Sequence, residues 1–336
     1  MSLAAGKSVQ ATAPGKVNLY IGCGGVLPDG YHLLDTVFLA LNINESATAT
    51  LTGAQKEGVG GNVGQKTDRS MPAWLEVTMR GQGAENLPID ATNLVVRAAK
   101  ALAARLGWAL PTRIAVEKRV PIAAGMAGGS ADAALTLAAL NALWMADVPP
   151  AALLDLARGL GADVPFGLVG GIAHAGARGD EPLALAVEAG VQFHLAFFSS
   201  PLGLPTPAVF HEFDAAGTAA GVPAPVAPPE LLAAAVSGDA PALAALISND
   251  LQAPALRLRP ELARTIAAAE RAGALRAFVS GSGPTVAALC TSAEHAAAVA
   301  RAVTAELGTA QLGYELVAFT ASGPAAGAHV TTHEEK

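Results

Sequence analysis

Charge is scarce in this chain: Asp, Glu, Lys and Arg make up 15% of its 336 residues, and 21 basic side chains face 28 acidic ones. The net charge of −7 argues against broad nucleic-acid binding, which needs clustered cations to neutralise phosphates. Cysteine is rarer still. Cys23 and Cys290 are the only two, too far apart in sequence for a disulfide framework or a thiolate metal site. They are expected as small buried hydrophobes in a reducing cytoplasm. The seven histidines form no H-x-x-x-H or H-x-x-E-H spacing, which argues against metal-led hydrolysis. Long apolar runs are also missing. The best candidate, Ala133 to Ala146, is broken by Thr136 and Asn141 and bounded by Asp132 and Asp147, short of the roughly 20 residues a spanning helix needs. Met1 to Ala13 lacks the apolar core of a signal peptide, so no membrane association is expected.

Small apolar residues are abundant instead. Apolar side chains reach 52%, aromatics only 4%, and 77 residues are alanine. Such a composition excludes a disordered chain, and the length suits two domains. Val17, Leu19 and Ile21 alternate with Lys16, Asn18 and Tyr20, predicting a strand with one polar face. A turn is expected over Gly22 to Gly30, then strands at Thr36–Leu41, Ala47–Thr52, Trp74–Arg80 and Thr112–Glu117. Gly53 to Pro72 reads as an exposed polar insertion. Helices are expected at Asn93–Leu106, stopped by Gly107, at Ser130–Met145, and at Ala151–Leu160. Strands near Gly170–Ala175 and Phe193–Phe198, an Ala/Gly/Pro loop at Ala215–Pro229 and helices near 230–236, 240–247 and 260–272 follow. The last part reads strand (Ala277–Val279), glycine turn, strand (Thr285–Cys290), helix (Glu294–Leu307), strand (Tyr314–Thr320). This order suggests a second α+β layer, with Ala321 to Lys336 as a frayed tail.

The most informative segment runs from Lys118 to Ala133, where Gly125, Gly128 and Gly129 precede a long Ala/Leu helix. Glycines let backbone N–H groups turn inward, and a helix N-terminus adds unpaired donors and partial positive charge, so the segment suits a phosphate. Taken alone, it reads equally well as a glycine turn capped by Ser130. No Lys follows the glycines as a Walker A loop requires, and the G-x-G-x-x-G dinucleotide spacing is absent. The loop belongs to another phosphate-binding class.

Four further clusters accompany it: Ala13-Pro-Gly-Lys-Val-Asn-Leu-Tyr20, Asp29-Gly-Tyr-His-Leu-Leu34, Gly161-Ala-Asp-Val-Pro-Phe166 and Val279-Ser-Gly-Ser-Gly-Pro-Thr285. Together they resemble the galactokinase, homoserine, mevalonate and phosphomevalonate (GHMP) kinase superfamily, and the resemblance extends from Ala13 to about Thr320. With Leu204-Pro-Thr-Pro207, the motifs look like the branch that phosphorylates a cytidine-diphosphate-linked methylerythritol in the non-mevalonate isoprenoid pathway. The resemblance implies an α+β, two-domain GHMP kinase fold. Residues 1–180 would form a nucleotide domain like ribosomal protein S5 domain 2, and residues 181–336 a ferredoxin-like substrate-side domain. It also implies ATP and Mg²⁺ as cofactors, a small-molecule substrate, a cytoplasmic location, and a monomer or weak homodimer.

The resemblance further implies roles for individual residues. Asp163 would be the catalytic base and Lys16 would orient it and offset charge on the transferring phosphoryl group. ATP would be bound by Asn93, Lys118, Pro121, Ala124, Gly125, Met126, Ala127, Gly128, Gly129 and Ser130, with Ser130 also the metal contact. The substrate would meet Asn18, Tyr31, His32, Thr206, Phe210, Gly281, Ser282 and Gly283, with Tyr31 and Phe210 stacking on the cytosine and His32 bonding its edge. Read from residue type alone, Asp163 could equally be a turn carboxylate and Phe210 a core aromatic. The loop departs from the family pattern at Met126, Ala127 and Ala131, which replace Leu, Gly and a second Ser. Ala127 puts a methyl where the backbone can need positive φ. A sibling kinase for homoserine or mevalonate, and a non-catalytic nucleotide sensor on the same fold, are the competing readings.

Overall fold

The alternating strand at the start of the chain is longer than its pattern suggests. In the computed structural model, which describes residues 4–28, 30–59, 71–81, 83–122, 124–216 and 224–334, β1 spans Ser8–Val26 and continues through the expected turn at Gly22. It pairs antiparallel with β2, His32–Leu51, a single strand where two were expected. The pairing slips between Pro14 and Lys16 and again between Asn18 and Tyr20. Bulges of this kind re-aim side chains. Val17 and Leu19 are fully buried in one core, and the polar alternates Lys16 and Asn18 are buried too, against a cavity rather than solvent.

Among the described residues the larger sheet has eight strands. Its main path runs Ser248–Asn249, β1, β2, Thr112–Lys118, Leu75–Gly81. The last two are parallel and connected through α1, Leu94–Leu106. Asn93 caps α1 and Gly107 ends it in the left-handed region. Against this sheet packs α2, Gly128–Leu143, of which Ala133, Ala134 and Ala139 are fully buried, and α3, Pro150–Arg158, follows it. Small side chains let helices approach a sheet and each other closely, which is where many of the alanines are used. Trp74, Trp108 and Trp144 meet at the base of this core, and Trp144 Nε1 donates to Thr112 Oγ1 at 2.9 Å.

A second, antiparallel sheet has the order Arg276–Val279, Val286–Cys290, Phe193–Ser199, Val317–Gly323. With helices Glu261–Arg271 and Ala293–Glu306 it forms the expected second α+β layer. Phe193, Phe197, Phe278 and Leu289 from this sheet share a core with Val17, Leu19, Val37 and Leu39 from the first. The tail departs from expectation. Instead of fraying, His329–Glu334 returns to pair with β1 at Ser8–Thr12. Positions 60–70 of the polar insertion and 217–223 of the Ala/Gly/Pro loop lie outside the described residues. Both cysteines are buried and unpaired, and burial pushes the Cys23 and Cys290 thiols up to about 12 and about 11, so neither is a nucleophile at neutral pH. Among the described residues no helix is long and apolar enough to cross a membrane.

Candidate active site

A cavity of about 430 Å³ opens between the two layers. Its wall includes Lys16, Asn18, Asp163, Pro121, Ala124, Gly125, Ala127, Gly128, Gly129, Ser130, Thr206, Phe210, Gly281 and Ser282. Fifteen of the residues singled out in the sequence, Lys118 among them, thus meet in one place, although they come from five separate segments.

The glycine loop owes its shape to close approach. Gly125 has φ +70°, and a Cβ there would stand 2.3 Å from the Ser280 carbonyl oxygen, so the loop is pressed against the second glycine turn. That turn is held by Asn249, whose Nδ2 donates to the carbonyls of Val279 and Gly281. Met126 points away from the cavity into the core, and its carbonyl accepts the Lys16 N–H at 3.1 Å. Helix α2 begins at Gly128, two residues before the expected start, with Ala127 rather than Ser130 at the cap. Ala127 has no side-chain acceptor, so the first amides of α2 are not consumed by capping and face the cavity with its positive end. Ser130 lines the cavity, and among the described residues its hydroxyl has no protein partner.

Ala127 itself sits at φ 58°, ψ 32°, a conformation costing an alanine roughly 1 kcal/mol relative to glycine. Ala127→Gly relieves that cost but frees the unfolded chain, so the melting temperature should move little and activity should stay within about twofold. A steep loss of activity would show that the methyl group is needed to hold the loop.

Asp163 lies just before the short helix α4, Val164–Val169, which the sequence pattern did not disclose. Two contacts fix α4. Phe166 stacks on Phe38 of β2 at 4.7 Å, and a Cβ on Gly167 would stand 2.8 Å from Ala134 Cβ, so only glycine allows this approach to α2. The Asp163 side chain makes no cap hydrogen bond, is 34% exposed, and lies 3.5 Å from Lys16 Nζ. Lys16 Nζ also donates to Asn18 Oδ1 at 2.7 Å, and Asn18 Nδ2 donates to Thr36 Oγ1 at 2.8 Å. This buried chain sets the direction of the ammonium.

Two residues implicated in ATP binding are otherwise engaged. The Asn93 amide accepts from Val95 N–H and donates to the Pro88 carbonyl, and Asn93 does not line the cavity. Lys118 reaches the cavity wall, yet its ammonium is clamped between Glu45 Oε1 and Asp132 Oδ2, each at 2.5 Å. Glu45 Oε2 accepts the Arg119 N–H, tying this triad to the loop backbone. Burial pushes Asp132 up to about 7 and also raises Glu45 above the usual carboxylate range. Two acids and one ammonium carry a net −1 unless one acid holds a proton. With a raised folded-state value, Asp132 binds a proton more readily folded than unfolded. Its contribution to stability is complete below about pH 4 and is lost as pH rises through about 7. Thermal melts from about pH 5 to 8 should show a falling midpoint, and Asp132→Asn should flatten that slope; the same slope in the variant would assign it to another group.

At the second glycine turn, Thr206 Oγ1 and Ser282 Oγ lie 2.8 Å apart, joining the turn to the start of α5, Thr206–Ala215. Gly283 belongs to that turn but does not line the cavity. His32 stacks on Phe210, with ring centroids 4.8 Å apart, and its Nε2 is 2.8 Å from Asp214 Oδ1. With Asp214 Oδ1 accepting a hydrogen bond from Nε2–H, Nδ1 is the ring's remaining polar atom. Tyr31 is 59% exposed, and neither it nor His32 is part of the cavity wall. Sequence reasoning missed Glu45, Thr36, Asn249 and Asp214; each acts through a fold contact with no local motif to signal it.

The models for the GHMP kinases N terminal domain and GHMP kinases C terminal match residues 93–173 and 231–309. A 4-diphosphocytidyl-2-C-methyl-D-erythritol kinase of Streptomyces coelicolor is 45% identical over 323 residues, covering 96% of this chain and 99% of that protein. The crystal structure of a 4-(cytidine 5'-diphospho)-2C-methyl-D-erythritol kinase superposes with a TM-score of 0.66 at 30% identity, covering 93% and 98% of the two chains. A homoserine kinase from Cytophaga hutchinsonii reaches a TM-score of 0.70 over 98% and 99%, but at 18% identity it shares the fold alone. Sequence identity over the whole length therefore separates the branches where backbone shape does not, and the chain belongs to the 4-diphosphocytidyl-2-C-methyl-D-erythritol kinase family of the GHMP kinases.

Proposed function

We propose that the chain transfers the γ-phosphoryl group of ATP to the 2-hydroxyl of 4-diphosphocytidyl-2-C-methyl-D-erythritol, with Asp163 as the base. The observation that carries this reading is the Asp163 carboxylate, not spent on a cap, 3.5 Å from a buried lysine in a cavity that the α2 N-terminus also enters. The hydroxyl proton passes to Asp163, the oxygen forms the new bond to phosphorus, and the bridging P–O bond breaks with its electron pair leaving on ADP. Lys16, aimed by Asn18 and Thr36, holds the carboxylate and offsets charge on the transferring group. The amides at the start of α2 and the glycine loop carry the phosphates. Because the 2-hydroxyl is tertiary and hindered, positioning matters more than nucleophile strength.

Mg²⁺ takes few protein ligands beside phosphate oxygens, and the unpartnered Ser130 hydroxyl fits that role as a hard oxygen donor. When bound, the ion neutralises charge between the terminal phosphates. Tyr31 and Phe210 would stack on the cytosine, with His32 Nδ1 available to its edge. The same reading divides the chain near residue 180 into a nucleotide side and a substrate side, and takes the protein as a cytoplasmic monomer or weak homodimer. Phosphorus NMR of a reaction with ATP and the cytidyl substrate tests it. A new phosphomonoester resonance beside an intact diphosphate is expected; ATP hydrolysis without that resonance would overturn the assignment.

A further inference from the structure

The buried lysine and the helix that Asp163 precedes meet at one side chain. Phe38 lies on β2 two residues beyond Thr36, so the two side chains share a face of the strand, and both line the cavity. Thr36 ends the hydrogen-bonded chain that runs through Asn18 to the Lys16 ammonium. Phe38 stands directly opposite Asn18 in the pairing of β1 with β2. The Lys16 ammonium sits over the Phe38 ring, 5.6 Å from its centre, within cation–π range. The same ring stacks on Phe166 of α4, with centroids 4.7 Å apart and an interplanar angle of 21°.

The surroundings leave this work to the two rings. Besides Phe38 and Phe166, the buried members of their cluster are Ala40, Ala173 and Ala175. Alanine side chains reach little beyond the backbone, so losing either ring opens a gap beneath both Lys16 and α4. With six residues, α4 is too short to hold itself by its own hydrogen bonds. Its place depends on the Phe38 stack and on the approach of Gly167 to Ala134.

We infer that Phe38 is a positioning residue for the transfer, a single ring that sets the Lys16 ammonium and the Asp163 carboxylate at their working separation. The inference rests on the roles proposed above for those two groups. The negative face of the ring attracts the ammonium, and its apolar area packs against Phe166. A shift of about 1 Å in a catalytic group can cost ~10²-fold in rate, so small losses of register at this pair are felt in kcat.

Replacing Phe38 by phenylalanines that carry one, two and three ring fluorines tests the inference with almost no change of shape. Fluorine withdraws charge from the ring face and weakens its hold on the ammonium, while the ring still packs on Phe166. With each fluorine kcat should fall, by ~3–30-fold in total, while the melting temperature and the KM values for ATP and the cytidyl substrate hold. Phe38→Leu removes the stack as well and should lower kcat ~10–100-fold with both KM values within about threefold. A kcat unchanged across the fluorinated series would overturn the inference. So would a Phe38→Leu variant that keeps the wild-type kcat and raises only the KM for the cytidyl substrate, since the ring would then be cavity wall alone.

The placement also has a readout that needs no turnover. In protein carrying isotope-labelled lysine, the Lys16 ε-methylene resonance, identified by its loss in Lys16→Arg, should be shifted upfield by the ring and return to the exposed-lysine position in Phe38→Leu. The same resonance in wild type and variant would overturn the inference. A wild type that shows the ring shift and does not phosphorylate the cytidyl substrate would instead overturn the reading on which the inference rests.

Discussion

Asp163→Asn should lower kcat by ~10²–10⁴-fold, the usual contribution of a positioned general base, while ATP affinity stays near wild type. The amide keeps the size and place of the carboxylate at the start of α4 and leaves the Phe38–Phe166 stack and the Gly167 approach intact. What it loses is the ability to accept the substrate proton, and with it the charge facing Lys16 at 3.5 Å. Single-turnover kinetics with prebound ATP separates the chemical step from binding. Turnover that survives in Asp163→Asn would remove the base assignment and leave Lys16 and the α2 N-terminus as the whole of the machinery.

The second large effect is on stability. Lys118→Met should destabilise the protein by ~3–5 kcal/mol, because removing one partner of a buried ion cluster strands the other charges. Glu45 is fully buried and Asp132 nearly so, and their common counter-ion is the Lys118 ammonium at 2.5 Å from each. Denaturant titration reads the change directly. Lys118→Met combined with Glu45→Gln and Asp132→Asn should recover much of the loss, since the stranded charges are then gone. If Lys118→Met alone unfolds at the wild-type midpoint, the cluster is not an energetic unit. The triad also explains how the glycine loop is supported: Arg119 N–H bonds to Glu45, and the Lys118–Asp132 link joins the end of a strand to the second turn of α2. Lys118 thus supports the glycine loop from beneath it.

The local signals in the sequence carried much of the fold. Asn93 and Gly107 mark the two ends of α1 to within a residue, because capping chemistry is local. The β-β-α-β order of the second layer follows from alternation and glycine turns alone. Helix α4 was not legible: six residues make less than two turns, and its stability comes from Phe38 and Ala134, distant in sequence. The start of α2 was misplaced for a related reason. Ser130 is the better cap by type, but contacts with the second glycine turn hold the backbone so that Ala127 takes that position. The tail pairs with the first strand across the full length of the chain, an arrangement with no local trace.

The candidate site divides in the same way. Motif positions such as Lys16, Asp163, the glycines of the first turn and Gly281 of the second meet in one cavity. Their supports do not announce themselves. Glu45 lies 73 positions before Lys118, and Asp214 is 182 from His32. Asn93, a motif position as well, caps α1 and stands outside the wall of that cavity.

The reaction itself is tested most directly by coupled ADP release, with the cytidyl substrate, homoserine and mevalonate offered in parallel to the same enzyme preparation with ATP and Mg²⁺. Turnover is expected with the cytidyl substrate and not with the other two. Turnover of homoserine or mevalonate alone would contradict the substrate assignment, and turnover of none would contradict the assignment as a kinase.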